Sequence, residues 1–287
     1  MPRTRRSTSP VLLVLAAIVT VQLGSSFAKG LFAHTGPVQV TWLRLLGGAL
    51  VLALVARPAI RGRSRADWGW VLAYGLSMAL MNLAFYLAIQ RIPIGMAVTI
   101  EFLGPLGVSV LSSRRARDFL WVALAGLGVA LLGFTPGELD LVGVLFALVA
   151  AVCWGGYILL ARPVGRAWPG VTGLTVALWV GVVSVGLLVV AAGQWPPAQP
   201  RLLAWGLGIG LLSSVIPYGL EMVALRSVEP RIFGILMSVE PAVAALFAFL
   251  LLGEALRPVE LVAMACVVIA SIGAVRTRRP PAPADSA

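Results

Sequence analysis

Charged residues are scarce in this chain. Only 11% of its 287 residues are Asp, Glu, Lys or Arg, whereas soluble domains carry about a quarter. Apolar residues make up 60% of the sequence. So little polar surface excludes a water-soluble globular fold. The apolar residues instead form long runs, and runs of about 20 residues can cross a bilayer as helices.

Residues that support catalysis or metal binding are scarce as well. The sequence has one histidine, His34, and two cysteines, Cys153 and Cys266, both within apolar runs. This set cannot build a disulfide framework or a Cys-rich metal site. The P-loop, HExxH and GxSxG motifs are absent, which argues against a nucleotide-driven pump or an intramembrane hydrolase. We therefore predict no enzyme activity, no catalytic residues, no metal site and no cofactor.

Ten apolar runs are long enough to span a membrane. Charged residues and Pro/Gly breaks separate them, so the predicted fold class is an all-α polytopic membrane protein with ten transmembrane helices. The predicted spans are 11–33, 37–56, 68–90, 94–113, 118–134, 140–161, 172–193, 202–225, 231–252 and 258–275.

The basic residues are distributed unevenly between the connections. If the N-terminus is cytoplasmic, 17 of the 22 basic residues face the cytoplasm, and only Arg91, Arg201 and Arg257 lie in the outer connections. The positive-inside rule therefore predicts that both termini are cytoplasmic. The net charge of +11 reflects this asymmetry and indicates no nucleic-acid partner. The Arg- and Pro-rich tail, 277–287, is predicted to be disordered at the cytoplasmic surface.

The two halves of the chain resemble each other. At an offset of 136, residues 86–89 fall on residues 222–225, and Pro105 falls on Pro241. Because each copy has an odd number of spans, the second copy enters the membrane from the opposite side, as in many secondary transporters. We therefore predict two inverted five-helix repeats, 1–137 and 138–276.

Five ionisable side chains lie within predicted spans: Lys29, Arg44, Glu101, Glu221 and Glu240. Each would cost about 2.5 to 3.5 kcal/mol near the bilayer centre, so each is expected to face protein or a water-filled cavity. From their depth, all but Glu221 are predicted to line one outward-opening pocket. Glu221 lies near a cytoplasmic end and is expected to snorkel or to pair with Arg226. The alternative for the set is interior ion pairs that fix helix register.

Prolines and amphipathic side chains accompany these charges. Helix kinks are predicted at Pro105, Pro217 and Pro241, because proline removes a backbone donor and frees a carbonyl one turn back. Two of these prolines neighbour Glu101 and Glu240, and kinked spans commonly form transporter sites. Amphipathic residues expected in a cavity between the halves, although each alone is more often a packing residue, are Asn82, Tyr86, Trp154, Tyr157 and Tyr218.

Several short runs resemble a known family. They are NLAFYLAIQ at 82–90, EFLGP at 101–105, SSRR at 112–115, PYGLEM at 217–222, RIFG at 231–234, LMSVEPA at 236–242 and LGE at 252–254. These runs resemble the threonine/homoserine exporters of the drug/metabolite transporter superfamily, of the ten-span EamA type. The resemblance covers nearly the whole chain outside its termini. It implies export driven by the proton gradient rather than by nucleotide hydrolysis.

The leading hypothesis is export of a small neutral amino acid such as threonine or homoserine in exchange for protons. The expected location, which goes with this hypothesis, is the inner (plasma) membrane. A zwitterion needs one cation and one anion, which Lys29 or Arg44 opposite Glu101 or Glu240 would supply. Either carboxylate would carry the coupling proton, because burial disfavours the charged form.

Two alternatives stay open at this stage. One is an exporter of drugs, aromatic amino acids or other metabolites in the same superfamily. The other is a non-transporting membrane scaffold or sensor, whose buried charges only fix packing. The expected partners of the leading hypothesis are an amino acid, protons and membrane lipid, and a homodimer is compatible with the sequence.

Overall fold

The computed structural model describes residues 10–56, 60–111, 116–132, 140–196, 199–224, 228 and 230–277. Every regular element in these ranges is helical. Nine helical segments there are long and apolar enough to cross a membrane, and the shorter apolar helix Phe119–Leu132 lies at the place of the tenth. The predicted fold class is therefore confirmed. The chain is an all-α, multi-pass membrane protein with ten spans in two inverted repeats.

The spans correspond closely to the predicted ones. They are span 1, Pro10–Leu31; span 2, Pro37–Ala56; span 3, Arg65–Ile89; span 4, Ile94–Glu101 with Leu103–Leu111; span 5, Ala116–Leu132; span 6, Leu141–Ala167; span 7, Thr172–Ala191; span 8, Pro200–Gly210 with Leu211–Val215 and Ile216–Ala224; span 9, Pro230–Met237 with Glu240–Leu252; and span 10, Pro258–Thr277. We call the end where span 1 begins and span 10 ends the terminal end, and the other the opposite end.

Contacts between the halves follow a two-fold pattern. Span 3 packs against spans 6 and 7, and its counterpart, span 8, packs against spans 1 and 2. Span 4 packs against span 6, and its counterpart, span 9, packs against span 1. The remaining spans pack against their own counterparts, span 2 against span 7 and span 5 against span 10. Each contact thus recurs with the halves exchanged, as expected for inverted repeats.

Span 6 extends further than predicted. It was expected to end at residue 161 but continues through Pro163 to Ala167. Tertiary contacts at the terminal end account for the extension. Arg63 donates to the Ala167 carbonyl over 2.6 Å and lies over the Trp168 ring, and the Trp168 indole donates to the Asp67 carbonyl over 3.2 Å. These contacts offset the backbone hydrogen bond that proline removes.

Some predicted features lie outside the described residues. They are the N-terminal arginines, the SSRR run at 112–115, Arg226, the boundary between the predicted repeats at 137–138, and the tail beyond Thr277.

Close helix packing at Gly104 provides a first prediction. A Cβ at Gly104 would overlap the backbone carbonyl of Ala151 in span 6. Because backbone cannot move aside as a side chain can, we expect Gly104→Ala to destabilise the protein by about 1 to 3 kcal/mol. Thermal unfolding in detergent measures this change.

Gly107 in the same helix is the matched control. Apart from its chain neighbours and the backbone of its own helix, no described atom lies within 4 Å of a Cβ built at Gly107. We therefore expect Gly107→Ala to leave the unfolding temperature unchanged or to raise it slightly. Equal unfolding temperatures for the two variants would contradict the packing of span 4 on span 6.

Candidate functional site

A cavity of about 410 Å³ lies between the two halves, within the range of about 300 to 1,000 Å³ usual for small-molecule sites. Spans 1 to 4 line it from the first half, and spans 6, 8, 9 and 10 from the second. The cavity extends towards the terminal end, because its lining residues Ser109, Phe233 and Val275 lie within one turn of helix ends there. The predicted orientation makes that end cytoplasmic, so the cavity differs from the expected outward-opening pocket.

Two spans that line the cavity are broken at equivalent positions. Span 4 is interrupted at Phe102, and span 9 is interrupted at Ser238 and Val239. The offset of 136 places Phe102 on Ser238, so each break begins three residues before a proline, Pro105 or Pro241. Each proline leaves a carbonyl one turn earlier without its helical donor, which accounts for a break on the N-terminal side of the proline rather than at it.

The two breaks position the predicted carboxylates. Glu101 ends the first segment of span 4, and Glu240 begins the second segment of span 9. Both line the cavity and are buried, with 8% and 7% of their surface exposed. Gln22 of span 1 donates from Nε2 to Glu240 Oε1 over 3.0 Å. Glu240 Oε2 is buried and has no hydrogen-bond partner in the described part of the chain, so one oxygen of this carboxylate is unsatisfied.

Arg44 is held in the cavity wall by contacts from both halves. Pro217, which also lines the cavity, cannot donate to the carbonyl of Ser213 one turn earlier. Arg44 Nη2 donates to that carbonyl over 3.1 Å, and Nη1 donates to the Tyr86 hydroxyl over 3.3 Å. The guanidinium carbon lies 5.4 Å from the centre of the Tyr86 ring. Among the described residues, Arg44 Nε has no hydrogen-bond partner.

Four of the five predicted amphipathic residues line the same cavity: Asn82, Trp154, Tyr157 and Tyr218. Tyr86, the fifth, is fully buried and is not among the lining residues. Asn82 donates to the Met78 carbonyl over 2.7 Å. The Trp154 ring packs edge-on against Phe102 at 5.3 Å, and the Tyr157 ring stacks on Tyr74 at 4.7 Å. The cavity therefore combines aromatic walls with a few charged groups, the composition of a small-molecule site.

Lys29 lies elsewhere than predicted. It is not among the residues that line the cavity. Its Nζ lies 2.5 Å from Glu254 Oε1 and donates to the Ile92 carbonyl over 3.0 Å, while Glu254 Oε2 accepts from the Ile94 backbone N–H over 2.9 Å. These contacts join the end of span 1 to the connections between spans 3 and 4 and between spans 9 and 10. Lys29 therefore links the two halves at the opposite end of the bundle instead of lining the cavity.

Comparison with known proteins identifies the family. The EamA-like transporter family matches residues 8–135 and again residues 141–276. The chain belongs to the EamA-like transporter family. Within it, the threonine/homoserine exporter RhtA of Salmonella typhimurium strain LT2 is 40% identical over 275 residues, covering 94% of this chain and 92% of the relative. RhtA of Escherichia coli K12 is 39% identical with the same coverage.

A solved structure shares the fold. One chain from a crystal structure matches with a TM-score of 0.61, covering 93% of this chain and 96% of its own length. Its sequence identity is 18%, so the match shows the shared overall fold of this EamA-like transporter and carries no information on substrate.

Glu221 was not expected in the site of this EamA-like transporter. It was predicted to snorkel or to pair with Arg226, but it lines the cavity on the side of span 8. Its predicted partner lies outside the described residues. The described residues of the cavity lining thus include three carboxylates and one cation, Arg44.

Uncharged polar residues of the cavity were missed by sequence reasoning. Gln22, Ser25, Ser109, Ser213 and Ser271 all line it. The interpretation of the sequence weighed ionisable and aromatic residues within the spans and passed over amides and hydroxyls. An amide such as Gln22 inside an apolar run is a usable signal, because a buried polar group needs a partner.

Proposed function

We propose that this chain is an inner-membrane exporter of small neutral amino acids such as threonine and homoserine, working by proton antiport with alternating access. Both termini lie in the cytoplasm under this proposal. The two RhtA relatives, named threonine/homoserine exporters, support the substrate class. One structural observation carries the proposal: a buried cation and buried carboxylates line a single cavity between inverted repeats.

Arg44 and Glu240 complement the two charges of an amino acid. Arg44 Nε can donate to the substrate carboxylate, and Glu240 Oε2 can accept from its ammonium group. Neither atom has another partner among the described residues. Charge-assisted hydrogen bonds of this kind are roughly twice as strong as neutral ones. Tyr86 lies behind Arg44 and holds the guanidinium in place.

Competition for one carboxylate would couple the substrate to protons. The ammonium group binds a carboxylate only when it is ionised, and a proton that binds first removes that charge. Glu101 and Glu240 are the proposed carriers, because burial penalises their charged forms and each lines the cavity. Binding that is mutually exclusive in this way exchanges proton for substrate when access alternates.

Alternating access requires closure at one end at a time. The contacts of Lys29 and Glu254 tie the two halves together at the opposite end, while the cavity extends to the terminal end. The uneven distribution of basic residues supports a cytoplasmic location of the terminal end. An exporter loads its substrate from that side.

Breaking this closure should open the opposite end. In a variant whose only cysteine replaces Ser25 in the cavity lining, we expect a membrane-impermeant thiol reagent to label from the terminal end. Adding Glu254→Gln removes the charge that holds Lys29, so labelling from the opposite end should rise several-fold. Labelling of right-side-out and everted vesicles measures access from each side.

Asp140 supplies the matched control for the Glu254 variant. It pairs with Arg91 at the same end over 3.1 Å but at the exposed surface. Hydrogen bonding from the Gly143 backbone, and then the pairing with Arg91, hold the pKa of Asp140 below its usual range, so this carboxylate is also charged at neutral pH. Asp140→Asn should leave labelling unchanged. If Glu254→Gln has no effect either, Lys29 and Glu254 do not close the opposite end.

A second candidate is favoured by the composition of the cavity. Because Lys29 lies elsewhere, the described lining of the cavity holds three carboxylates, one arginine and several aromatic rings. Acidic and aromatic linings suit larger organic cations. Export of drugs or aromatic metabolites is therefore the alternative.

Counterflow with purified protein separates the two candidates. Proteoliposomes loaded with unlabelled threonine are expected to take up labelled threonine and homoserine. Proteoliposomes loaded with ethidium are expected to show no exchange of internal for external ethidium. Exchange of ethidium without exchange of either amino acid would replace the first proposal with the second. Protein-free liposomes are the blank.

A further inference from the structure

We infer that Ser213 and Gln22 form the subsite that recognises the side-chain hydroxyl of the substrate, and so make hydroxylated amino acids the preferred cargo. This inference rests on the proposed function, in which Arg44 and Glu240 hold the carboxylate and the ammonium group. It adds a role for two uncharged residues and a reason for choosing threonine or homoserine over a purely aliphatic amino acid.

Both residues carry a buried polar atom without a partner. Ser213 and Gln22 line the cavity and are 3% and 2% exposed. Ser213 Oγ and Gln22 Oε1 have no hydrogen-bond partner in the part of the chain that the structure describes. A buried polar atom left in this state carries a penalty of about 1 to 3 kcal/mol. A substrate hydroxyl that satisfied both atoms would remove that penalty, whereas a methyl group would not.

The two residues are attached directly to the groups that would hold the zwitterion. The Ser213 carbonyl accepts from Arg44 Nη2 over 3.1 Å, and Gln22 Nε2 donates to Glu240 Oε1 over 3.0 Å. One residue of the pair is thus fixed beside the cation and the other beside the anion. The side chain of an amino acid branches from the carbon between its carboxylate and ammonium groups, so a hydroxyl on it would lie close to both residues.

The chemistry of the pair matches a hydroxyl. Because the Gln22 amide nitrogen already donates to Glu240, the unpartnered Gln22 atom is its carbonyl oxygen, which only accepts. Ser213 Oγ both donates and accepts. A substrate hydroxyl can donate to Gln22 Oε1 and accept from Ser213 Oγ at the same time. An ammonium group could not accept, and a carboxylate could not donate.

Local backbone structure makes room for the Ser213 hydroxyl. Ser213 lies in the π-helical turn Leu211–Val215, one turn before Pro217. Such turns are frequent at functional sites. Across from it, a Cβ at Gly24 of span 1 would overlap Ser213 Oγ. Gly24 therefore leaves the space that the hydroxyl occupies between spans 1 and 8.

The test compares substrates that differ by one hydroxyl. 2-Aminobutyrate is both threonine and homoserine with the hydroxyl replaced by hydrogen. In counterflow with the full-length wild-type protein, we expect kcat/KM for threonine to exceed that for 2-aminobutyrate about tenfold or more. In Ser213→Ala, the value for threonine should fall several-fold towards that of 2-aminobutyrate, and the value for 2-aminobutyrate should change much less.

Two further variants keep the result interpretable. Ser214→Ala makes the same change one residue later, at a buried serine that is not among the cavity-lining residues, and should preserve the wild-type preference. Ser213→Cys keeps the shape of the side chain, with a somewhat larger atom, but forms only weak hydrogen bonds, so the preference should fall there too, even if Ser213→Ala fails to fold.

The outcomes separate this inference from the proposed function. A wild-type protein that moves threonine and 2-aminobutyrate equally well overturns the hydroxyl subsite alone. Equal losses for both substrates in the Ser213 variants also overturn it, because they indicate a packing role. A wild-type protein that moves neither amino acid overturns the proposed function together with the subsite.

Discussion

Replacing Arg44 with alanine is expected to lower kcat/KM for threonine counterflow by about 100-fold or more. Arg44 is the one cation among the described residues that line the cavity. One Nη atom is held by Tyr86 of the same half and the other by Ser213 of the second half. Without Arg44, the substrate carboxylate would enter a buried site that holds only negative charges. Arg44→Lys should retain part of the activity, because an ammonium keeps the charge but loses the planar fork.

Arg63 provides the matched control for the Arg44 variant. It too donates to a backbone carbonyl and lies over an aromatic ring, but at the terminal end and outside the cavity lining. Arg63→Ala should change stability while kcat/KM per folded molecule stays near the wild-type value. A folded Arg44→Ala protein with wild-type counterflow would exclude Arg44 as the partner of the substrate carboxylate.

The second large effect concerns the coupling proton. Glu101→Gln and Glu240→Gln should each abolish accumulation driven by a proton gradient, since a neutral amide neither binds nor releases a proton at these pH values. In the wild-type protein, uptake into everted vesicles should rise as the interior pH falls. This dependence on interior pH should be lost in the Glu101→Gln and Glu240→Gln variants. Labelled threonine uptake at a series of interior pH values measures it.

Glu260 allows the same substitution at a buried carboxylate outside the cavity lining. It is 6% exposed and accepts from the Arg257 backbone N–H at the start of span 10. Glu260→Gln should preserve the dependence on interior pH. Full coupling in both the Glu101 and Glu240 variants would remove these residues from the proton pathway.

Much of the architecture follows from the sequence because lipid imposes simple constraints. A helix must be about 20 apolar residues long to cross the bilayer, and an odd number of spans inverts the second repeat. Arg44, Glu101 and Glu240 were predictable as cavity residues because a charge inside a span must face protein or water. The structure places all three in one cavity lining, as expected from their depth.

The partner of Lys29 could not be predicted in the same way. Glu254 lies beyond the end of the predicted span 231–252, in a connection, so no rule about charges within spans applied to it. The pairing of the two depends on how the connections fold across the opposite end, which periodicity does not encode. The sequence therefore assigned Lys29 to the pocket, and it predicted a pocket towards the opposite end, whereas the cavity extends towards the terminal end.

The breaks in spans 4 and 9 are a second feature that the sequence did not predict. Prolines mark the affected turn, but they do not show that helical structure stops three residues earlier, at Phe102 and Ser238. In span 8, the Ser213 carbonyl that Pro217 frees finds its partner, Arg44, through a tertiary contact. Whether a proline bends a helix or interrupts it thus depends on residues distant in the sequence.

Proton-driven transport in everted membrane vesicles tests the central claim most directly. These vesicles expose the proposed cytoplasmic end to the medium. With an acidic interior, vesicles that contain the protein should accumulate labelled threonine and homoserine above the concentration outside, and an uncoupler should collapse the accumulation. Uptake no greater than in vesicles lacking the protein would contradict the account.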